Sequence, residues 1–312
     1  MTSLPPPFLD PAKDASPFDT AREASAVLAD PYLFRIRDLV YRASGIFQPD
    51  NKFYILENRC AKRLEALGIT SLFEYFRLLT TSSRRESEIR LLLNEITVGE
   101  TSFFRNQPQL DAFRKTVIPQ LVEAKGRLGN RRLTIWSAGC ATGEEPYSLA
   151  MMLAEESQTT LRGWSWNIFA VDLNDQRLEQ AREGVYGEYA LRSVTPYYMQ
   201  KYFRPRNGQH QVCDEIRSMV TFERLNILDD SRMVFLKGQD AIFCCNVLIY
   251  FGGEPKRRVI QHFHNNVNLG GYLFLGHSES LFGINNDFRL LHFPGCVAYR
   301  KISRKPSPTS VI

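Results

Sequence analysis

The run Ser137-Ala138-Gly139-Cys140-Ala141-Thr142-Gly143-Glu144-Glu145 concentrates residues that could do chemistry. It follows the apolar run Leu133-Thr134-Ile135-Trp136 and leads into a helical pattern. Gly139 and Gly143 let the backbone approach a ligand closely. The spacing is not G-x-G-x-x-G, and two carboxylates at a helix start would repel a pyrophosphate. A positively charged ligand suits them, and so, without any ligand, does an ordinary tight turn into a helix that begins with acids. Asp172 ends Phe169-Ala170-Val171-Asp172. A carboxylate there can accept from both hydroxyls of a ribose, and it equally suits the N-cap of the next helix. Asn226 and Asn246 end two further apolar runs, each offering an amide donor and acceptor. Together Gly139, Glu145, Asp172, Asn226 and Asn246 make a rim for a cofactor that bears a nucleoside and no phosphate. S-adenosylmethionine, with adenine, ribose, a sulfonium cation and a zwitterionic amino acid, meets that description.

These residues need a parallel sheet to bring them to one edge. Runs at 133–136, 168–171, 220–222, 241–244 and 272–275 read as buried strands. Helical patterns at 146–156, 175–182 and 255–267 separate several of them, which predicts an α/β domain with both sheet faces covered. Cys296 to Tyr299 is expected to close the sheet as an edge strand. Asn207-Gly208 between short strand-like pieces predicts a β-hairpin excursion within about 186–220. Upstream, apolar residues recur at helical spacing from Tyr32 to Val40, Phe53 to Leu64, Leu72 to Leu79 and Ile89 to Ile96, with Gly45 and Gly68 as stops. One longer helix is expected through Phe113, Val117 and Leu121. The expected organisation is a flexible Pro-rich tail over 1–30, a helical domain over 31–98, the α/β domain over 99–302 and a tail over 303–312.

Composition sets the outer limits. In 312 residues, 44% hydrophobic and 23% charged side chains exclude a wholly disordered chain. The longest apolar runs are about half the roughly 20 residues of a membrane helix, and no secretory signal opens the chain, so a cytoplasmic protein with no membrane insertion is expected. The net charge of +5 is small for nucleic-acid binding. Six cysteines form no C-x-x-C pair and five histidines no H-E-x-x-H, so no metal is expected.

The chain resembles the CheR-type chemoreceptor glutamate O-methyltransferases of bacterial chemotaxis. The resemblance is carried by Thr101-Ser102-Phe103-Phe104-Arg105, Ser137 through Ser148, Phe169 to Asp172, Phe243 to Phe251 and Gly276-His277-Ser278-Glu279. It extends in order from about 31 to 300. It implies a Rossmann-like S-adenosylmethionine-dependent methyltransferase sheet with a small β-hairpin insertion, preceded by a small all-α domain. It also implies methyl transfer to glutamates on the cytoplasmic helices of chemoreceptors, with S-adenosylhomocysteine as product. Thr101, Arg105, Glu145, Asp172, Asn226 with Ile227, and Asn246 with Val247 match cofactor positions, and Tyr250 lies near the reacting methyl. The sequence departs from the family at Cys245, usually Arg, which puts a local ion pair in doubt, and at Gly99, where some members have Asn.

A glutamate carboxylate, with a pKa of about 4.3, is already ionised near neutrality, so no general base is required. Arg105 is the candidate for orienting it by a charge-assisted bond. Tyr250 either shapes the methyl's path or is a core aromatic. Arg59, Lys62 and Arg63 share a helix face and are expected to dock acidic receptor helices. The tight Asn207-Gly208 hairpin predicts no tethering to a C-terminal receptor pentapeptide. A monomer is expected. The competing reading is a non-enzymatic adaptor of the same fold that senses the cofactor. A nucleic-acid methyltransferase is disfavoured by the lack of an Asn/Asp-Pro-Pro-Tyr/Trp motif and of a Pro-Cys nucleophile.

Overall fold

The computed structural model describes residues 30–302. The expected tails, Asp30 apart, lie outside them. The chain divides into two compact units, one of residues 30–42 and 48–92, the other of residues 43–47 and 93–302.

The first unit is helical. Helices Pro31–Ser44, Phe53–Leu67, Leu72–Thr81 and Arg85–Ile96 follow the apolar periodicity. Gly68, at φ 65, closes the second helix in the left-handed conformation that glycine adopts freely. Ile36, Val40, Leu56, Cys60, Tyr75 and Leu79 are buried in this unit. A polar tie lies among them: Glu88 accepts both Nε and Nη2 of Arg63, at 2.8 and 2.9 Å, and the Tyr75 hydroxyl at 2.9 Å.

The second unit holds ten strands: β1 Arg132–Ala138, β2 Ser165–Asp172, β3 Val185–Tyr186, β4 Phe203–Arg206, β5 Gln209–Val212, β6 Val220–Arg224, β7 Gln239–Cys244, β8 Val267–Leu275, β9 Phe288–Phe293 and β10 Cys296–Lys301. Seven form one sheet in the order β6-β2-β1-β7-β8-β10-β9. The first five run parallel, and β10 is antiparallel to both neighbours. Helices Glu144–Glu156, Asp175–Glu183 and Gly253–Asn266 connect parallel strands. Alternate side chains serve opposite faces. Ile135 and Phe243 join one core, with Phe113 and Phe274, whereas Trp136 and Ile242 join the other, with Phe263 and Leu273. A sheet covered on both faces has strands apolar throughout, which is why these runs do not alternate.

Three expectations change. Cys296 to Tyr299 does not form the edge, because β10 lies between β8 and β9, and β9 is outermost. The helix through Phe113 is not uniform: a π-helical turn at Phe113–Val117 joins helices Gln107–Ala112 and Ile118–Gly126. The hairpin forms at Asn207 and Gly208, with φ of 48 and 75 as a type I′ turn requires. It gains a third strand, β3, and helices at Glu188–Leu191, Pro196–Tyr202 and Asp214–Ser218.

Candidate cofactor site

The sheet order reverses direction between β1 and β7, and the carboxyl ends of parallel strands beside such a switch form a natural crevice. The loop after β1 is bent by positive φ at Gly139 (83), Ala141 (47) and Gly143 (95). The loop after β7 begins with Asn246 at φ 61. Val247 packs on Gly139 so closely that a Cβ there would lie 2.5 Å from its Cγ2. On the other side, Asp172 accepts the Ala141 N–H on Oδ2 and the Asn174 N–H on Oδ1, both at 2.9 Å. The N-cap of helix Asp175–Glu183 is Asn174, whose side chain accepts from Arg177 N–H, so Asp172 does not serve as the cap. Gly139, Asp172, Asn246 and Val247 are therefore brought together at the exits of β1, β2 and β7.

The adjacent acids diverge. Glu144 is buried, takes the Thr142 hydroxyl at 2.6 Å and faces a separate cavity of about 470 Å³ shared with Gln180, Glu183, Tyr186 and Gln209. Glu145 turns to the end of β1, where the Ser137 hydroxyl donates to it at 2.7 Å. Desolvation pushes the Glu145 carboxyl up to about 7, with hydrogen bonds from Ser137 and Cys245 opposing the rise. Burial also raises Asp172, against the N–H groups of Asn174 and Ala141. Among the described residues neither acid forms a salt bridge. The ion pair that an arginine at 245 would have supplied is absent: Cys245, its thiol pushed well up by burial, donates to Gln109 Oε1 at 3.4 Å.

Phe103 and Phe104 anchor the segment from Thr101 to Arg105. Phe103 makes edge contacts with Tyr186 and Phe203, and the Phe104 N–H reaches the Ser148 hydroxyl at 2.9 Å. This leaves Thr101 half-buried and Arg105 exposed, with Arg105 Nη1 donating to Glu100 O at 2.8 Å. Tyr250 is half-buried, its phenol raised by burial, and its carbonyl accepts the Phe47 N–H at 2.8 Å. Asn226 stands at its expected strand end, but its amide is used within the fold. It donates to Ala43 O at 2.8 Å and accepts from Leu228 N–H at 3.0 Å, while Ile227 is buried beside it.

In the helical unit, Arg59 and Lys62 lie on the expected face of Phe53–Leu67, half-buried and exposed respectively. Arg63 does not belong with them: its guanidinium turns inward to Glu88, and a charge held bidentately at 15% exposure is not offered to a partner. Sequence reasoning also passed over Arg177 and Glu279. Arg177 fills the space that a side chain at Gly99 would take, its guanidinium carbon 2.4 Å from a Cβ there. Its charge acts on both Asp172 and Tyr250. The missing side chain at 99 was the available signal. Glu279, in the Gly276-His277-Ser278-Glu279 run, accepts backbone N–H groups from the loop after β7.

A family model described as CheR methyltransferase, SAM binding domain, matches residues 99–296, and one described as CheR methyltransferase, all-alpha domain, matches residues 33–97. The chain is 34% identical over 277 residues to chemotaxis protein methyltransferase 2 of Vibrio cholerae, covering 88% of this chain and 94% of that one. It is 36% identical to chemotaxis protein methyltransferase 1 of Pseudomonas aeruginosa, over 88% of this chain and 99% of that one. With the chemotaxis protein methyltransferase of Escherichia coli the identity is 35%, over 84% and 89%.

Proposed function

The chain belongs to the CheR methyltransferase family, and from that membership and the chemistry of the crevice we propose that it transfers a methyl group from S-adenosylmethionine to glutamate carboxylates of chemoreceptors in the cytoplasm. The observation that carries this reading is the pair of acids, half-buried Glu145 at the start of the helix after β1 and buried Asp172 at the end of β2, neither of which forms a salt bridge among the described residues. Such a site favours a positively charged ligand with hydroxyls to donate.

The residues fit S-adenosylmethionine. Asp172 keeps acceptor capacity beyond the backbone N–H groups it already holds, and that capacity suits ribose hydroxyls. Glu145 balances the cofactor's positive charge, Gly139 gives it backbone access, and Asn246, Val247 and Thr101 line it. Asn226 contributes through the wall it fixes with Ile227. When bound, the cofactor supplies a methyl group already activated on a sulfonium sulfur. The chain then has to hold the acceptor carboxylate in line and dry, which depends on positioning. Arg105, exposed at the mouth, orients that carboxylate, and half-buried Tyr250 lines the approach.

Docking falls to Arg59 and Lys62 against acidic receptor helices. The tether-independent reading is supported by the two-residue turn and by Pro205. This proline lies in β4, at the edge of the small sheet, and has no N–H to offer an added strand. A C-terminal receptor pentapeptide should give no heat of binding in calorimetry; micromolar affinity removes this part.

The central test is a labelled-methyl assay on a receptor cytoplasmic fragment. Esterified glutamate releases its label as methanol in mild base, whereas methylated nitrogen does not. Base-stable label, or cofactor binding without transfer, refutes the assignment, and the second result would leave a cofactor-sensing adaptor.

A further inference from the structure

Glu279 lies in the Gly276-His277-Ser278-Glu279 run that leaves β8. Its carboxylate, 8% exposed, collects three backbone N–H groups. Gly276 at 2.7 Å and Asn246 at 2.8 Å donate to Oε2, and Ile249 at 3.2 Å donates to Oε1. These donors come from the exits of two neighbouring parallel strands, β7 and β8. Hydrogen bonds to an ionised acceptor are the strong kind.

What they hold is a left-handed turn. Asn246 sits at φ 61, a conformation that asparagine adopts more readily than other non-glycine residues and that most side chains avoid. Gly276 leaves no room for relaxation: a Cβ there would lie 2.8 Å from both Asn246 N and Glu279 Oε2. Val247, next in the chain, is seated on Gly139, and the turn Leu248–Tyr250 follows directly. Rotating Asn246 out of its conformation would lift Val247 from Gly139 and move Tyr250.

We propose that Glu279 is a positioning residue for methyl transfer, its carboxylate clamping the exits of β7 and β8 so that Asn246, Val247 and Tyr250 stay in the left-handed turn that faces cofactor and acceptor. The inference rests on the methyltransferase reading above.

Glu279→Gln preserves size, removes the charge and turns an NH₂ group toward N–H donors. In the full chain it is expected to lower kcat at least tenfold with the KM for the receptor fragment unchanged. It should also weaken S-adenosylhomocysteine binding at least tenfold, while the circular dichroism spectrum stays that of the wild type. Gly276→Ala, which displaces Asn246 with Glu279 intact, should show the same signature. If Glu279→Gln does not fold, Gly276→Ala decides by the same criteria. Variants that melt earlier but bind S-adenosylhomocysteine and turn over like the wild type would make Glu279 a strut of the fold and overturn the proposal. A wild type that binds S-adenosylhomocysteine yet methylates no receptor fragment defeats the functional reading instead, and the affinity measurement still decides what Glu279 does.

Discussion

Glu145 shows at the scale of one residue how desolvation acts on a half-buried carboxyl. Its carboxyl is raised from an ordinary value of 4.5 to about 7, so the folded chain keeps a proton that the unfolded chain releases between those values. Stability contributed through this group therefore falls as pH rises from about 4.5 to about 7 and is level above. The ligand-free protein should lose thermal stability over that window, and Glu145→Gln should flatten the loss in melts across pH. A bound cation favours the ionised carboxylate, so cofactor binding near pH 6.5 should release protons. Calorimetry in two buffers of different ionisation heat measures this, and identical heats would remove Glu145 from the cation's vicinity. Asp172→Ala gives up two charged acceptor positions worth about 1.5–3 kcal/mol each. Affinity for S-adenosylhomocysteine should fall at least tenfold, with some loss of stability because Ala141 and Asn174 lose their acceptor. Arg105→Ala should instead depress turnover more than cofactor affinity, since orientation of the acceptor acts on the transition state; equal losses would place Arg105 against the cofactor. The positions of Asp172 at the end of β2 and of Glu145 at the start of the helix after β1 were legible from the apolar runs that precede them. Arg63 was not: helical spacing predicts a shared face, but its partner Glu88 lies on another helix, 25 residues away.

At the scale of elements, apolar runs and their glycine stops located the four early helices and the five parallel strands. β9 escaped because Phe288-Arg289-Leu290-Leu291-His292-Phe293 neither alternates nor stays apolar, and its residues are largely exposed. β3 escaped because two residues carry no pattern; pairing with β5 alone defines it. Within the helical unit the Arg63–Glu88–Tyr75 tie joins three helices. Glu88→Ala would strand a largely buried guanidinium and a buried hydroxyl, so we expect a loss of about 3 kcal/mol or more, read as a lower denaturant midpoint. An unchanged midpoint would show that the tie is dispensable. Reversing Arg63 consequently tests folding and says nothing about receptor docking.

For the whole molecule, the proposed function places docking and catalysis in different units. Arg59→Glu with Lys62→Glu should cripple methylation of the receptor fragment, leave S-adenosylhomocysteine affinity intact, and mimic the effect of raised salt on the wild type, since an exposed charge contact is screened. Retained methylation would move the docking face elsewhere. The units are nevertheless not strung end to end. Residues 43–47 belong with the catalytic unit. There Ile46 bridges Phe251, Ala43 O takes the Asn226 amide, and Phe47 N–H meets Tyr250 O. Gly45, at φ 74, passes where a Cβ would lie 2.4 Å from Leu228. The polypeptide thus crosses between units three times, and exchanging receptor preference between relatives cannot be a single cut and paste at residue 98. A chimera built that way imports foreign residues at 43–47 and disturbs the recipient's loop at Tyr250 and Phe251. A working graft must travel as two cassettes, 30–42 and 48–92, around a retained five-residue thread.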